Sequence, residues 1–354
     1  MNNMNCPHNF YIHVPFCMSK CRYCAFYSVA CANPDWEKYV HDITAEITFW
    51  ANKLGKIQIP SIFFGGGTPS LMPSNVFERI INSVYDNFDV LKDCEITLES
   101  NPGTLSADKL KSFVSNGVNR LSVGVQSLKN EELEFLGRKH NVAQALNLLE
   151  IAMDIGLRVS GDFIYGLPNQ NVQSVIDLCK GINKIGLKHA SLYELTIEPD
   201  TPFGKMNLSM PDNEMMADMY NAISEYLSLP RYEVSNYAVS GQECIHNKNI
   251  WDGQAYVGIG KAAAGRVFFN GVWYEQRGAN ELFNPISVET RAVEKIITGI
   301  RTIFGVALTP DVMQQINMDW VNSHKDMVVI KNNRLCATQK GLLVLDDLTT
   351  DIIK

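Results

Sequence analysis

Short apolar runs alternate with longer amphipathic stretches through the first 200 residues of the chain. The repeat is about 30–40 residues long, which is the size of a strand followed by a helix. The apolar runs predict six strands, at residues 10–14, 61–64, 95–99, 120–126, 158–166 and 189–197. The stretches between them predict helices over residues 34–54, 73–88, 106–116, 141–155 and 171–185. Strands that alternate with helices indicate an α/β fold with a parallel sheet.

The pattern changes after about residue 200 and indicates two further regions. Residues 210–227 predict a helix, and the runs 231–239 and 265–277 predict strands of a mixed α+β extension. From residue 285 the order is helix, smaller helix, hairpin and helix, which is typical of a small winged-helix-like domain. We therefore expect three domains, at residues 1–200, 201–284 and 285–354.

Composition and charge narrow the possible partners and the compartment. The chain has 354 residues, 46% hydrophobic and 19% charged, with a formal net charge of -7. It has no concentrated basic run, so we expect no nucleic-acid partner. No apolar run approaches the roughly 18 residues of a membrane span, and the first residues lack a secretory pattern. We expect a cytoplasmic protein without a direct membrane anchor.

Chemically unusual residues follow the ends of the predicted strands. Cysteines follow the first strand, the run GGGTP follows the second, Glu99 ends the third and Gln126 ends the fourth. In parallel α/β folds the carboxyl ends of the strands carry the functional site. Four strand ends that agree in this way predict one site at that edge of the sheet.

Three of the nine cysteines, Cys17, Cys21 and Cys24, form a C-x3-C-x2-C motif. In a reducing compartment such a cluster indicates a metal site rather than disulfides. A structural zinc site needs four ligands, and His13 is a candidate for the fourth. A four-cysteine cluster with a remote fourth ligand is a second interpretation. A third is an iron–sulfur cubane with one open iron, where a substrate or cofactor binds.

The motif resembles that of the radical S-adenosylmethionine (SAM) superfamily, including the aromatic Tyr23 before the last cysteine. The resemblance implies a partial (βα)6 barrel, in which SAM chelates the open iron of a 4Fe-4S cluster and is cleaved reductively to a 5′-deoxyadenosyl radical. It also implies a set of SAM-binding residues. These are Tyr11, Tyr23, Gly66, Gly67, Thr68, Glu99, Gln126, Arg138 and Asp162.

Several longer segments resemble the anaerobic coproporphyrinogen oxidase family: YIHVPFCMSKCRYCAF, FFGGGTPS, RLSVGVQS, IYGLP, YEVSNYA and HNKNIW. One branch contains oxygen-independent coproporphyrinogen III oxidases, which decarboxylate propionates by radical chemistry. These enzymes carry a longer N-terminal extension and a fourth cysteine two positions after the third. The other branch contains HemW-type haem chaperones, which bind haem and deliver it to acceptor proteins.

Phe26 stands where the oxidase branch has its fourth cysteine, and only a few residues precede the first predicted strand. Both features favour the chaperone branch, without coproporphyrinogen oxidase activity. We expect Phe26 to pack near the cluster as an apolar shield. The resemblance further implies haem as a cofactor, and as partners the haem acceptors and a reductant for the cluster. The enzyme of the oxidase branch remains the alternative function.

The segment HNKNIW makes His246 and Trp251 candidate haem contacts by its resemblance to the H-N-x-x-[YW]-W segment of the chaperone branch. A neutral imidazole can ligate haem iron, and an indole can stack on the macrocycle. A nearby stretch departs from the family pattern G-I-G-P-G-A-H, because Lys261, Ala262 and Ala264 replace Pro, Gly and His. Any ligand that the family has in that stretch is therefore in question here.

Overall fold

A computed structural model describes residues 6–278 and 284–354 of the chain. Its strands are β1 (His8–Val14), β2 (Phe16–Cys17), β3 (Val29–Ala30), β4 (Gln58–Gly66), β5 (Asp89–Ser100), β6 (Arg120–Gln126), β7 (Arg158–Tyr165), β8 (His189–Glu194), β9 (Arg231–Glu233), β10 (Asn236–Ala238), β11 (Ala255–Ile259), β12 (Ala264–Phe269), β13 (Val272–Arg277), β14 (Asn284–Ile286), β15 (Val306–Ala307), β16 (Val328–Lys331) and β17 (Arg334–Ala337).

The helices lie between these strands and in the last third of the chain. They are α1 (Trp36–Leu54), α2 (Ser74–Asn87), α3 (Ala107–Ser115), α4 (Asn130–Leu136), α5 (Val142–Asp154), α6 (Val172–Ile185), α7 (Asn213–Tyr226), α8 (Ile245–Trp251), α9 (Val288–Gly299), α10 (Pro310–Gln315), α11 (Met318–Ser323), α12 (Gln339–Leu342) and α13 (Leu345–Ile352).

Within the described ranges, twelve strands form one open sheet in the order β14-β13-β12-β11-β1-β4-β5-β6-β7-β8-β10-β9. The six strands from β1 through β4, β5, β6 and β7 to β8 are parallel, which confirms the six predicted strands and the α/β alternation. A seventh parallel strand, β11, pairs with β1 on its other side. This strand was not predicted as part of the parallel sheet.

Local sequence signals set the bounds of the helices. The Asp35 side chain accepts a hydrogen bond from the Lys38 N–H at 2.9 Å and begins α1. Asn141 and Gln144 form a reciprocal capping box at the start of α5. Gly186 ends α6 in the left-handed conformation that glycine adopts without strain. The predicted and observed bounds differ by two residues at the start of α1 and by one at the start of α5, and they agree at the end of α6.

The predicted extension shares its sheet with the barrel strands. β9 and β10 continue the sheet beyond β8, and β12 to β14 continue it beyond β11. Side chains from α7 and β11 belong to the same large hydrophobic core as those of the six parallel strands. The predicted division at residue 200 therefore falls inside one sheet and one core.

The last part of the chain has a hydrophobic core of its own, which contains Ile296, Val312, Leu335 and Ile352. Its three-stranded sheet has the order β15-β17-β16, and the predicted hairpin is the antiparallel pair β16 and β17. The winged-helix assignment of this region stays a prediction. Among the residues that the structure describes, no helix is both long and apolar enough to cross a membrane.

Candidate functional site

A cavity of about 890 Å³ opens at the carboxyl ends of the parallel strands. All twelve residues that the sequence assigned to the cluster and to SAM line it: Cys17, Cys21, Cys24, Tyr11, Tyr23, Gly66, Gly67, Thr68, Glu99, Gln126, Arg138 and Asp162. They come from segments that lie up to 151 positions apart in the sequence, and the parallel sheet brings them together. Their individual roles stay predictions.

The cysteine-bearing loop between β2 and β3 is fixed by backbone hydrogen bonds. Its two ends pair as short parallel strands, and the Cys31 N–H donates to the Cys17 carbonyl at 2.9 Å. In its middle, the Arg22 N–H donates to the Leu136 carbonyl at 3.1 Å, and the Phe203 N–H donates to the Arg22 carbonyl at 3.0 Å. The loop that carries the three thiols is thus held at both ends and in its middle by backbone hydrogen bonds.

His13 does not fit the role of a fourth zinc ligand. Its Nε2 lies 2.9 Å from the Tyr27 carbonyl oxygen, which can only accept, so Nε2 carries the proton. Its Nδ1 lies 3.0 Å from the Tyr11 hydroxyl and accepts from it. Both ring nitrogens are therefore engaged, and the donor set at this loop is three thiols. Three thiols that share one cavity fit the cubane with an open iron better than tetrahedral zinc.

The glycines at the end of β4 lie too close to neighbouring parts of the protein to carry side chains. Gly66 has φ +110°, and a Cβ there would lie 2.4 Å from the His13 ring. A Cβ on Gly67 would lie 2.7 Å from the Phe16 carbonyl oxygen. Glycine is therefore required at both positions by the close approach of β1 and of the residues that follow it.

Glu99 and Asp162 place two carboxyl groups inside the cavity. Burial, and then the Asp162 charge, raise the pKa of Glu99 to about 7, although the Gly66 N–H donates to its Oε2 at 3.2 Å. Burial likewise raises the pKa of Asp162, which accepts hydrogen bonds from Ser122 at 2.6 Å and Ser160 at 3.0 Å. Buried Arg120 is the cation that faces both groups. The pair can accept hydrogen bonds from hydroxyl or ammonium groups of a ligand.

Arg138 follows Gly137, which ends α4 in the left-handed conformation. The Arg138 Nη1 donates to Cys21 Sγ at 3.4 Å, and its Nη2 donates to the Gly124 carbonyl at 2.9 Å. The Nη2 also contacts Asn101 Oδ1. Asn101 lines the cavity but was missed by sequence reasoning, although it directly follows β5 in the run that contains Glu99.

Two aromatic residues and a bulge shape the wall around the cysteines. Tyr11 donates to His13, and Tyr23 packs against the small core that contains Leu136 and Phe203. Gln126 has φ +69°, where β6 slips its register against β7. A non-glycine residue in this conformation is uncommon and costs backbone energy. This conformation turns Gln126 out of the regular strand at the point where the residue lines the cavity.

His246 lies in α8 and lines the same cavity, at 3% exposure. The Ser61 hydroxyl donates to Asn9 Oδ1 at 2.7 Å, so at 2.8 Å from His246 Nδ1 it must accept. The His246 Nδ1 therefore carries the proton, and Nε2 is the nitrogen with a free lone pair. Burial lowers the pKa of His246 to about 4, so the ring is neutral near pH 7. Sequence reasoning missed α8 itself.

Trp251 does not line the cavity. Its ring lies 6.2 Å from that of Tyr232 and beneath the Arg301 guanidinium, and its carbonyl accepts from Thr298 at 2.9 Å. These contacts place the indole between the barrel and α9. The structure therefore separates the two predicted haem contacts, and stacking of Trp251 on a ligand in this cavity is not supported.

Phe26 is 71% exposed, at the rim of the cavity. The expectation that it shields the cluster as a packed apolar side chain is wrong. The loop that carries it is held through backbone hydrogen bonds, so this side chain is free to face solvent. Met18 and Val29 on the same loop are also exposed.

The stretch that departs from the family pattern forms the turn between β11 and β12. Ala262 has φ +66°, and Ala262 and Ala264 both line the cavity. The Lys261 ammonium lies 5.2 Å from the centre of the Tyr27 ring. This turn thus meets the cysteine-bearing loop at the rim, and its side chains toward the cavity are methyl groups.

Comparisons with known proteins give consistent results. A sequence model of the radical SAM superfamily matches residues 11–181. The haem chaperones HemW of Haemophilus influenzae and Escherichia coli are each 35% identical over 272 residues, which cover 74% of this chain and 71% of theirs. The radical SAM enzyme coproporphyrinogen III oxidase (HemN) of Escherichia coli has the same fold, with a TM-score of 0.82 at 20% identity over 98% of this chain and 90% of that one. The predicted radical SAM barrel is thereby confirmed.

Proposed function

Because this chain belongs to the radical SAM family of the haem chaperone HemW, we propose that it binds haem and delivers it to acceptor proteins. The proposal includes a 4Fe-4S cluster and SAM as cofactors, a reductant for the cluster as a second kind of partner, and a cytoplasmic location. The single observation that carries the proposal is that the three cysteines, the nine SAM residues and His246 line one cavity.

The residues present fit the cluster and SAM. Cys17, Cys21 and Cys24 would hold three irons, and the cavity supplies no competing fourth ligand from His13. Glu99 lies across the cavity with a carboxylate suited to ribose hydroxyls or an ammonium. When bound, the cluster and SAM supply one-electron chemistry at the SAM sulfonium. The chain itself orders the thiols and keeps Glu99 in a buried setting.

His246 is the residue in this cavity that suits haem iron. Haem iron in many proteins is held by a proximal histidine. The Nδ1 proton of His246 is fixed by Ser61, so the His246 Nε2 keeps the lone pair that a metal needs. Glu95 holds the helix that carries His246, because its Oε1 accepts from the His246 N–H at 2.9 Å and its Oε2 from the Ile245 N–H at 3.0 Å.

The test is a haem titration of protein reconstituted with iron and sulfide under anaerobic conditions. A coproporphyrinogen turnover assay with SAM and a strong reductant runs beside it. We expect haem binding at a fixed stoichiometry without turnover, and transfer of the bound haem to an apo-haemoprotein. Turnover to protoporphyrinogen would replace the proposal with the oxidase alternative. Absence of both haem binding and turnover would contradict both functions.

A further inference from the structure

Three side chains form a continuous hydrogen-bonded belt between two of the cluster cysteines. The Thr68 hydroxyl lies 3.6 Å from Cys17 Sγ, and the Asn101 Nδ2 lies 2.9 Å from Thr68 Oγ1. Asn101 Oδ1 contacts Arg138 Nη2, and the Arg138 Nη1 lies 3.4 Å from Cys21 Sγ. The belt Thr68–Asn101–Arg138 thus joins one thiol to the other through Asn101.

The donor and acceptor inventory fixes the direction of every bond in this belt. A guanidinium can only donate, so the oxygen of the Asn101 amide must face Arg138. The amide nitrogen then faces Thr68, and because that nitrogen can only donate, Thr68 Oγ1 must accept from it. The Thr68 proton is left to point toward Cys17 Sγ. Asn101 therefore directs one neutral donor and one charged donor at two thiol sulfurs.

The surrounding backbone is shaped to admit the belt. A Cβ on Gly124 would lie 2.9 Å from Asn101 Oδ1 and 3.1 Å from Arg138 Nη2, so a side chain at this position would displace both. The Gly124 carbonyl instead accepts from the Arg138 Nη2 at 2.9 Å. Thr68 is buried at 3% exposure, and the donors act where water competes little.

The belt also stands between two cavities. Thr68, Asn101 and Arg138 line the main cavity and also a second one of about 170 Å³, to which Lys139 and His140 contribute. Cys21 also lines this second cavity, so a change at Asn101 that removes bulk would enlarge the space beside a cysteine as well as break hydrogen bonds. A replacement of similar size is needed to separate the two effects.

We propose that Asn101 is a positioning residue that sets the reduction potential of the cluster through Thr68 and Arg138. Hydrogen bonds to thiolate sulfurs, above all from a cation, stabilise the more negative reduced cluster and raise its potential. The inference rests on the cluster in the proposed function. It assigns to Thr68 and Arg138 a role toward the cysteines that is separate from contact with SAM.

The experiment is a redox titration of the reconstituted protein, followed by electron paramagnetic resonance of the reduced cluster, without SAM. Asn101→Leu keeps the size of the side chain and loses both polar contacts. Thr68→Val loses only the hydroxyl, and Thr68→Ser retains it. Thr104→Val is the matched control, because the Thr104 hydroxyl donates to the backbone carbonyl of Asn101 at 2.6 Å and not to its side-chain amide. Iron content is measured for every variant.

We expect lower midpoint potentials for Asn101→Leu and Thr68→Val, and wild-type values for Thr68→Ser and Thr104→Val. In the double variant that combines Asn101→Leu with Thr68→Val, the Asn101 change should lower the midpoint potential less than it does alone. The hydrogen bond from Thr68 to Cys17 is then already lost. Wild-type potentials in both Asn101→Leu and Thr68→Val would overturn the inference. If Asn101→Leu fails to retain iron, the isosteric variant Thr68→Val decides the question. A wild-type midpoint potential in Thr68→Val overturns the inference. A lowered potential in Thr68→Val, with the wild-type value in Thr68→Ser, supports it. A wild-type protein that holds no cluster would instead contradict the proposed function.

Discussion

Glu95 and His246 are 151 positions apart in the sequence, yet the Glu95 Oε1 accepts the His246 N–H at 2.9 Å. The other carboxylate oxygen accepts the Ile245 N–H at 3.0 Å and pairs with Arg158 at 2.9 Å. A strand residue of the barrel thus satisfies two of the free N–H groups at the start of α8. The position of His246 in the cavity depends on a carboxylate that never reaches the cavity wall.

Replacing Glu95 with Gln should destabilise the protein by about 3 kcal/mol, because it removes the buried negative charge that faces buried Arg120 and pairs with Arg158. Urea unfolding measures the loss. Glu37→Gln is the matched control, since Glu37 pairs with Arg79 at 2.8 Å on the surface, where an ion pair contributes about 1 kcal/mol or less. Equal losses in the two variants would show that the Glu95 charge contributes no more to stability than a surface ion pair.

The same carboxylate should make stability fall at acid pH. Burial alone would raise the pKa of Glu95, but the Arg120 charge and the two backbone N–H groups outweigh it and hold the pKa below its usual value of 4.5. A carboxylate with a lowered pKa stabilises the folded protein above pH 4.5, and this contribution disappears as the pH falls through the folded pKa. Glu95→Gln should therefore show a flatter decline than the wild type below pH 4.5 in unfolding measured at several pH values. Parallel declines would contradict this.

Each of Cys17→Ala, Cys21→Ala and Cys24→Ala should abolish the iron–sulfur absorbance of the reconstituted protein, because these three thiolates are the protein ligands that we propose for the cluster. Iron and sulfide analysis checks the result. Cys31→Ala is the control: Cys31 is paired to Cys17 through the backbone, and its thiol is outside the motif. Full cluster content in any of the three variants, or its loss in Cys31→Ala, would contradict the ligand assignment.

His246→Ala should weaken haem binding at least tenfold and leave the cluster intact, because it removes the Nε2 lone pair from the cavity. Trp251→Phe should leave haem affinity unchanged, since the indole lies outside the cavity. Absorbance titration with haem measures both. The reverse outcome, with Trp251 important and His246 not, would move the haem site to the side of the barrel that packs against α9.

SAM binding should strengthen as the pH rises from 6 to 8. Burial and Asp162 raise the pKa of Glu99 to about 7, so the carboxylate that we propose accepts hydrogen bonds from SAM forms only around and above that pH. The affinity for SAM should fall about tenfold for each pH unit below the pKa of Glu99. Equilibrium dialysis with labelled SAM gives the profile, and Glu99→Gln is expected to bind weakly with a flatter profile. If wild type and Glu99→Gln share one profile, Glu99 does not titrate in the complex.

The parallel strands and their helices could be predicted because each has a local signal. β6 and β7 begin and end close to their predicted positions, and the capped helices α5 and α6 do likewise. That the cysteines and the residues assigned to SAM would meet in one cavity could be predicted from motifs in register with strand ends. The contacts that tie them together, such as Asn101 to Arg138, could not, because they join segments with no shared sequence signal.

Two features were out of reach for a physical reason. α8 has only seven residues, begins at Cys244 without a side-chain cap, and forms because Glu95 accepts its first N–H groups. Phe26 was expected to pack near the cluster as an apolar shield, yet the β2–β3 loop closes through backbone bonds and leaves it in solvent. In both places the local structure depends on contacts between distant parts of the chain, which a local sequence pattern does not reveal.

The pairing of β1 with β11 also bears on how the protein is made. β1 lies between β4 and β11, so its partner on one side is synthesised some 250 residues after β1 itself. Chains emerge from the ribosome N-terminus first, and contacts of such long sequence separation form late. The cysteine-bearing loop directly follows β1, and the turn that meets it at the rim follows β11. The nascent chain therefore exposes its three thiols before the last side of their cavity is in place, and delivery of iron to this protein is expected to follow, not accompany, its synthesis.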